Sequence, residues 1–388
     1  MYSRIKFRSR PLLAILVVII LAVLTTMMLT ITTASKTKRL NSLRMMIILF
    51  RHGDRAPIKT YPTDPHLNYP WVGGLEALQP RGVEQAFELG RNFRNRYGLL
   101  LPSDGFYTRH KIHAVSSYYE RSIMSSQAVL AAFFQPPEDS FKIPIRWQPA
   151  ALHVIPAKSD SILAQERPCP KFEAEFENFK RQVTPEFEQW YADSLPEFEY
   201  IEQHSGLKNM SWTDMVLFYD LLEIENNYGL ALPEWAKRLF PTKAIEYYKG
   251  ILKTYSATPI MKRLRGGATL SEFLSKLKAK AAGNLDPDRS IFLYSGHDLT
   301  QVSLLDSMGV LEQASEKPSF ASAVVFELHE NPSLGGQQEV RILHYGNWSV
   351  QEPKLLDIPR CPAPCSLSKF ETAMHDIILQ NYDEECTI

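Results

Sequence analysis

The 388-residue chain lacks a charge excess of either sign, since 43 Lys+Arg stand against 43 Asp+Glu. It therefore lacks the basic surplus of a generic nucleic-acid binder. It also has no low-complexity tract, no internal repeat and no collagen-like glycine period, and 45% of its residues are hydrophobic. That composition excludes a disordered or fibrous chain, and the length is ample for a large buried core. No glycine-rich phosphate loop, dinucleotide fingerprint or basic aromatic stripe occurs, so nucleotide-driven and nucleic-acid functions have no motif to rest on. The zero balance conceals an asymmetry. Residues 1–34 contain Arg4, Lys6, Arg8 and Arg10 and no acid, which leaves a mildly acidic body of 39 bases and 43 acids.

Only one long apolar run exists. It extends from Leu12 to Leu24, and no charge appears between Arg10 and Lys36. A basic stretch followed by such a run reads as a membrane-targeting leader over residues 1–35. Thr32 and Ala34 could supply the cleavage site of a secretory signal, while the uncharged stretch is also long enough to span a bilayer as a signal anchor. Lys36, Lys38, Arg39 and Arg44 balance the positive charges on the other side and leave both readings open. Either one places the body in an oxidising lumen or outside the cell, with membrane contact only through this segment. The four cysteines, Cys169, Cys361, Cys365 and Cys386, are compatible with two disulfides. Free thiols or a metal site are the alternatives, but Cys361-Pro-Ala-Pro-Cys365 lacks the spacing and paired histidines of zinc ribbons and fingers. A local Cys361–Cys365 bridge is expected, leaving Cys169 to Cys386. Asn209-Met-Ser211 and Asn347-Trp-Ser349 are N-glycosylation acceptors.

The remaining chain reads as an α/β protein. Met45 to Phe50 is a short continuous apolar run before a Gly/Pro-rich stretch, the pattern of a strand buried on both faces. Val83, Phe87, Phe93 and Tyr97 follow at roughly helical spacing, with Gly98 as a stop. The unit recurs as strand 112–116 with helix 122–134, and as strand 291–294 with a helix over 300–308 capped by Gly309. Segments 323–328 and 340–345 around Gly335-Gly336 predict an antiparallel hairpin, which makes the sheet mixed. Residues 166–284 differ: they are rich in Glu, Lys, Phe and Trp at helical spacings. The expected organisation is an α/β core over 43–165 and 285–388, with a smaller α-helical cap domain over 166–284.

The chemistry collects at three strand ends. Arg51-His52-Gly53-Asp54-Arg55-Ala56-Pro57 follows the first strand. An imidazole flanked by two guanidiniums suits attack on a phosphoryl group, because arginines bind the oxygens in bidentate fashion while a neutral ring nitrogen faces phosphorus. Gly53 would allow a tight backbone turn beside the ligand. Arg121 follows the second strand and immediately precedes a helix, whose N-terminus favours anions. Ser295-Gly296-His297-Asp298 closes the third: His297 could contact phosphate, and Asp298 could protonate a leaving oxygen. Alone, Arg121 or a His-Asp pair would signify little. Together they count, since ligands of open α/β sheets bind beyond the carboxyl ends of the strands.

These residues resemble the histidine acid phosphatases, a branch of the phosphoglycerate mutase-like superfamily, through R-H-G-x-R-x-P and the late H-D pair. The resemblance runs from about Arg44 to Ile388. Gly82-Val-Glu-Gln85, Glu88-Leu-Gly90, Arg121-Ser-Ile-Met-Ser125 and the cysteine positions resemble the prostatic, lysosomal and testicular group. It implies a phosphoglycerate mutase-like mixed sheet flanked by helices. It also implies His52 as a nucleophile forming phosphohistidine, a phosphate clamp of Arg51, Arg55, Arg121 and His297, Asp298 as proton donor, and neither metal nor cofactor. Relatives usually carry acidic residues where this chain reads Ser116-Ser-Tyr-Tyr-Glu120, and commonly six cysteines where it has four. The activity so implied is hydrolysis of phosphomonoesters, small or protein-borne, at acidic pH, by an enzyme whose relatives form dimers. A phosphohistidine phosphotransferase or mutase, and an inactive phospho-ligand-binding ectodomain, are the competing expectations. The substrate is not legible, and specificity is assigned to the cap and to the loop 58–74.

Overall fold

A computed structural model describes residues 42–181 and 185–388. In chain order the elements are β1 (Leu43–Arg51), α1 (Pro80–Tyr97), β2 (Ile112–Ser117), α2 (Glu120–Phe133) and β3 (Leu152–Ile155). Seven helices follow: α3 (Pro170–Arg181), α4 (Pro185–Ser205), α5 (Trp212–Asn227), α6 (Glu234–Lys237), α7 (Thr242–Thr254), α8 (Pro259–Leu264) and α9 (Gly266–Ala281). The chain then adds β4 (Ile291–Gly296), α10 (Asp298–Ser307), β5 (Ala323–Glu330), β6 (Gln338–Tyr345), β7 (Lys354–Leu356), α11 (Leu367–Ala373) and α12 (Tyr382–Glu385). The seven strands form one sheet in the order β3-β2-β4-β1-β5-β6-β7. Strands β3, β2, β4 and β1 pair in parallel, while β5, β6 and β7 pair antiparallel, so the sheet is mixed as expected.

Residues Met45 to Phe50 of β1 are all buried, because the strand has helices over both faces. On one face Phe273 of α9 meets Tyr294 at 4.9 Å and Phe326 at 5.4 Å, and Phe370 of α11 meets Phe326 at 6.4 Å. Side chains of opposite parity turn to the other face, where Phe93 of α1 contacts Tyr345 at 5.4 Å and Phe133 of α2 at 6.3 Å. Helices α1 and α2 approach closely at Gly90: a Cβ there would lie 2.5 Å from the Val129 carbonyl oxygen. The helices between β3 and β4 gather a further cluster that includes Phe198, Met215, Phe218, Leu222 and Ile251, joined by Tyr61 from the loop after β1.

Several local expectations shift. Helix α1 is present, but Val83 and Phe87 are exposed on it and its buried stripe runs through Gly82, Gln85, Ala86, Leu89, Phe93 and Tyr97. Gly98 does not end it with a left-handed turn: its φ is −53° and the chain continues into a 3-10 turn. Helix α10 starts at Asp298 rather than near Thr300 and ends at Ser307 with Met308 as its C-cap, followed by Gly309, whose φ of +72° suits glycine. The short strands β3 and β7 were not anticipated. Among the described residues no helix is long and apolar enough to cross a membrane; the leader expected over residues 1–35 lies outside them.

Candidate active site

The parallel pairing of β1 with β4, and of β4 with β2, sets three carboxyl ends side by side. Arg51 is in register with Gly296, so the residues that follow, His52 and His297, emerge as neighbours with ring centroids 5.5 Å apart. The Arg51–Pro57 loop is held from beneath by α1. Gly53 has no positive φ; it is needed because a Cβ there would fall 2.1 Å from the Gly82 carbonyl oxygen, and one on Gly82 would fall 2.0 Å from that of Asp54. Contact with the helix, rather than the tight turn expected from the sequence, requires this glycine. The Asp54 amide donates to Gln85 Oε1 at 2.9 Å and the Gly53 amide to Ser125 Oγ at 3.0 Å, which ties both neighbouring motifs to the loop.

His52 is buried, with Nδ1 2.8 Å from the Gly53 carbonyl oxygen. A carbonyl only accepts, so Nδ1 carries the proton and the Nε2 lone pair is free. Burial, then the charges of Arg121 and Arg51, hold the imidazole well below the ordinary histidine range and keep it neutral. Burial and Arg121 likewise push His297 down to about 3. Its Nε2 lies 3.0 Å from Ser117 Oγ at the end of β2, and its backbone amide donates to Thr300 Oγ1 at 3.1 Å.

Three guanidiniums surround these rings. Arg51 stacks on Phe320 at 4.2 Å, donates to the Pro318 carbonyl at 2.6 Å, and is ion-paired with Asp298 Oδ2 at 2.6 Å. Arg55 pairs with Asp220 Oδ2 at 2.8 Å. Arg121 lies 4.2 Å over the Tyr119 ring and 3.3 Å from Glu76. It occupies the second position of α2 rather than preceding the helix, because the helix begins at Glu120 with Tyr119 as its N-cap. The buried Nε atoms of Arg51, Arg55 and Arg121 have no hydrogen-bond partner. Three guanidiniums close enough to depress two neutral imidazoles are an arrangement suited to holding an anion. Asp298 opens α10 and accepts from Tyr248 Oη at 2.6 Å on the oxygen that faces Arg51. Burial alone would raise this carboxyl, but the Arg51 charge and the Tyr248 hydrogen bond outweigh it and keep Asp298 ionised.

A cleft opens over these groups, walled by Tyr119 and Arg121 on one side and by Val216, Leu217 and Leu252 of the helical stretch on the other. Of the expected site residues, His52, Arg55, Arg121, His297 and Asp298 line it directly, while Arg51 touches it through Asp298. Sequence reading missed Tyr248, Asp220 and Glu166, which also line it. From the loop 58–74 only Ile58 does so. Both expected disulfides are formed, Cys169–Cys386 and Cys361–Cys365. Asn209 is exposed with φ +51°, and Asn347 is half-buried, its Oδ1 accepting from the Ser349 amide at 2.9 Å. Among the described residues no group of three or more His, Cys, Asp and Glu could hold a metal ion.

Residues 42–345 match the histidine phosphatase superfamily, branch 2. The chain is 32% identical to human (Homo sapiens) lysosomal acid phosphatase over 359 residues, covering 90% of this chain and 81% of the relative. It is 31% identical to Bos taurus prostatic acid phosphatase over 365 residues, with 90% and 89% covered. A venom acid phosphatase of Apis mellifera is 30% identical over 353 residues, with 89% and 87% covered. Among solved structures, a Hafnia alvei phytase in complex with myo-inositol hexakis sulphate superposes with a TM-score of 0.63 at 18% identity, over 89% of this chain and 98% of that one. A Citrobacter braakii phytase gives 0.60 at 17% identity, over 89% and 100%. At such identity these two speak to the fold alone. The family match takes in the sheet's first six strands, the helical stretch and every residue that lines the cleft; with relatives at 30–32% identity over most of their length, the chain belongs to branch 2 of the histidine phosphatase superfamily and is a phosphomonoester hydrolase.

Proposed function

We propose that the chain is an acid phosphatase working through a phosphohistidine on His52. The carrying observation is the bond from His52 Nδ1 to the Gly53 carbonyl, which fixes the tautomer and leaves Nε2 unprotonated among three guanidiniums. Arg51, Arg55, Arg121 and His297 bind the phosphoryl oxygens; Nε2 attacks phosphorus in line while the ester P–O bond breaks, and Asp298 gives its proton to the departing alkoxide. Water then attacks phospho-His52, with Asp298 taking the proton back, and inorganic phosphate leaves. Fixed cations matched to the charge on the equatorial oxygens supply most of the acceleration. Neither metal nor cofactor enters the scheme.

The helical stretch 166–284 serves as the cap over a core of 43–165 and 285–388. The basic leader, the two disulfides, the sequons at Asn209 and Asn347, and lysosomal and prostatic relatives support a glycoprotein of the secretory pathway, lysosomal or extracellular, with residues 1–35 as signal or anchor. The family resemblance supports a homodimer. The test of the activity is steady turnover of p-nitrophenyl phosphate at acidic pH by the purified protein, lost in His52→Ala; binding of phosphate without turnover would contradict it.

A further inference from the structure

The cleft carries three carboxylates, and two are spoken for. Asp298 is paired with Arg51 and Asp220 with Arg55. The third, Glu166, has no Lys or Arg within ion-pair distance among the described residues. Its Oε1 instead accepts from Tyr119 Oη at 2.5 Å and from Tyr118 Oη at 3.3 Å. Burial and the Glu166 carboxylate keep the Tyr119 phenol protonated, so it remains a donor. Tyr119 is also the ring beneath the Arg121 guanidinium and lies 5.1 Å from His297. Glu166 is thus fixed one residue away from the phosphate-binding cations.

Its segment is rigidly built. Asp160 accepts from the amides of Ile162, Leu163 and Ala164, and the Gln165 side-chain amide and Arg265 guanidinium exchange bonds with each other's carbonyls at 3.2 and 2.9 Å. The Cys169–Cys386 bridge closes the segment three residues further on. Among the described residues the only Lys or Arg side chains lining the cleft are Arg55 and Arg121; Val216, Leu217, Leu252 and Tyr255 add apolar and aromatic surface, and Glu166 is the lining carboxylate with no cationic partner among them.

We propose that Glu166, held by Tyr118 and Tyr119, is a specificity-determining residue that sets the charge of the leaving group. Phosphomonoesters of alcohols or phenols bearing an ammonium group are favoured, neutral ones accepted, and those with a further anionic group turned away. The inference rests on the cleft being the phosphatase site. An exposed carboxylate acts through partly screened attraction and repulsion, so each unit of leaving-group charge changes kcat/KM by about threefold, or about tenfold from cation to anion.

The experiment compares para-(aminomethyl)phenyl, para-methylphenyl and para-(carboxymethyl)phenyl phosphate, whose methylene spacers insulate the reacting oxygen from the charge. The wild type should order them ammonium, neutral, carboxylate. Glu166→Gln, which keeps an acceptor for the tyrosines, should collapse that span, and Glu166→Asp, which keeps the charge, should retain it. High salt should compress the span in the wild type, since the Debye length falls from about 10 Å at 0.1 M to about 3 Å at 1 M. Turnover of all three without the charge order, or a span unmoved by both Glu166→Gln and salt, would overturn the proposal. Failure to hydrolyse any of them would instead remove the phosphatase reading, and this inference with it.

Discussion

Arg51 and Asp298 form an ion pair of 2.6 Å in the free cleft, on the carboxylate oxygen that Tyr248 also donates to. A general acid needs a proton, and this pairing withholds it. Bound phosphate changes the balance: its negative charge competes for Arg51 and raises the affinity of Asp298 for a proton. Asp298 thereby takes up its proton when substrate is present, most readily at low pH.

Replacing Asp298 by Ala should therefore cost most where the leaving oxygen most needs protonation. The expected loss in kcat is about 100-fold or more on alkyl phosphates and markedly less on p-nitrophenyl phosphate. Equal losses on both, in side-by-side steady-state kinetics, would remove Asp298 as the acid.

Tyr248→Phe deletes a hydrogen bond to the ionised carboxylate and leaves the fold's contacts largely intact. Asp298 then holds its proton to higher pH, so the alkaline limb of the kcat profile should move upward. His52 sets no limb in the ordinary histidine range, because burial and the arginines hold its pKa well below it. A fall in kcat/KM on acidification through about pH 6.5, the unperturbed histidine value, would contradict that.

Asp220→Ala leaves Arg55 buried without its carboxylate. Removing one partner of a buried pair should cost about 3 kcal/mol of stability. Inorganic phosphate supplies the missing charge, so it should raise the urea midpoint of the variant more than that of the wild type. Equal increments would show that Arg55 does not meet the phosphate.

Glu225 of α5 is buried against Asp64 of the loop after β1, and Glu225 Oε2 and Asp64 Oδ2 have no other partner. Burial, then the Asp64 charge, raises Glu225 to about 8 from 4.5. The folded state then binds more protons than the unfolded chain between these values, so stability falls as pH rises from 4.5 to about 8. Melting temperature measured across that window should decline in the wild type and flatten in Glu225→Gln.

Much of this site is contiguous with strand ends, and that is why it could be read. The apolar run 45–50 locates β1, which places Arg51, His52 and Arg55 at its exit; Ile291 to Tyr294 does the same for His297 and Asp298. Asp220, Tyr248 and Glu166 were not legible, because each reaches the cleft through tertiary packing and lies in no local pattern of its own. Asp220 is 165 positions from the arginine it pairs with. The phase of α1 was misread for a related reason: the face it buries is chosen by close approach of Gly82 and Gly90 to neighbouring backbone, and a hydrophobic count overlooks glycine. Strands β3 and β7, four and three residues long, exist by pairing with longer neighbours rather than by pattern.

The central claim is covalent transfer of phosphate to Nε2 of His52. Rapid mixing with a radiolabelled phosphomonoester, alkaline quench and peptide mapping test it directly. The account predicts label stable in alkali and labile in acid on the peptide carrying His52, formed within the first turnover and absent from His52→Ala. Full turnover with no protein-bound label, or label on another residue, would contradict it.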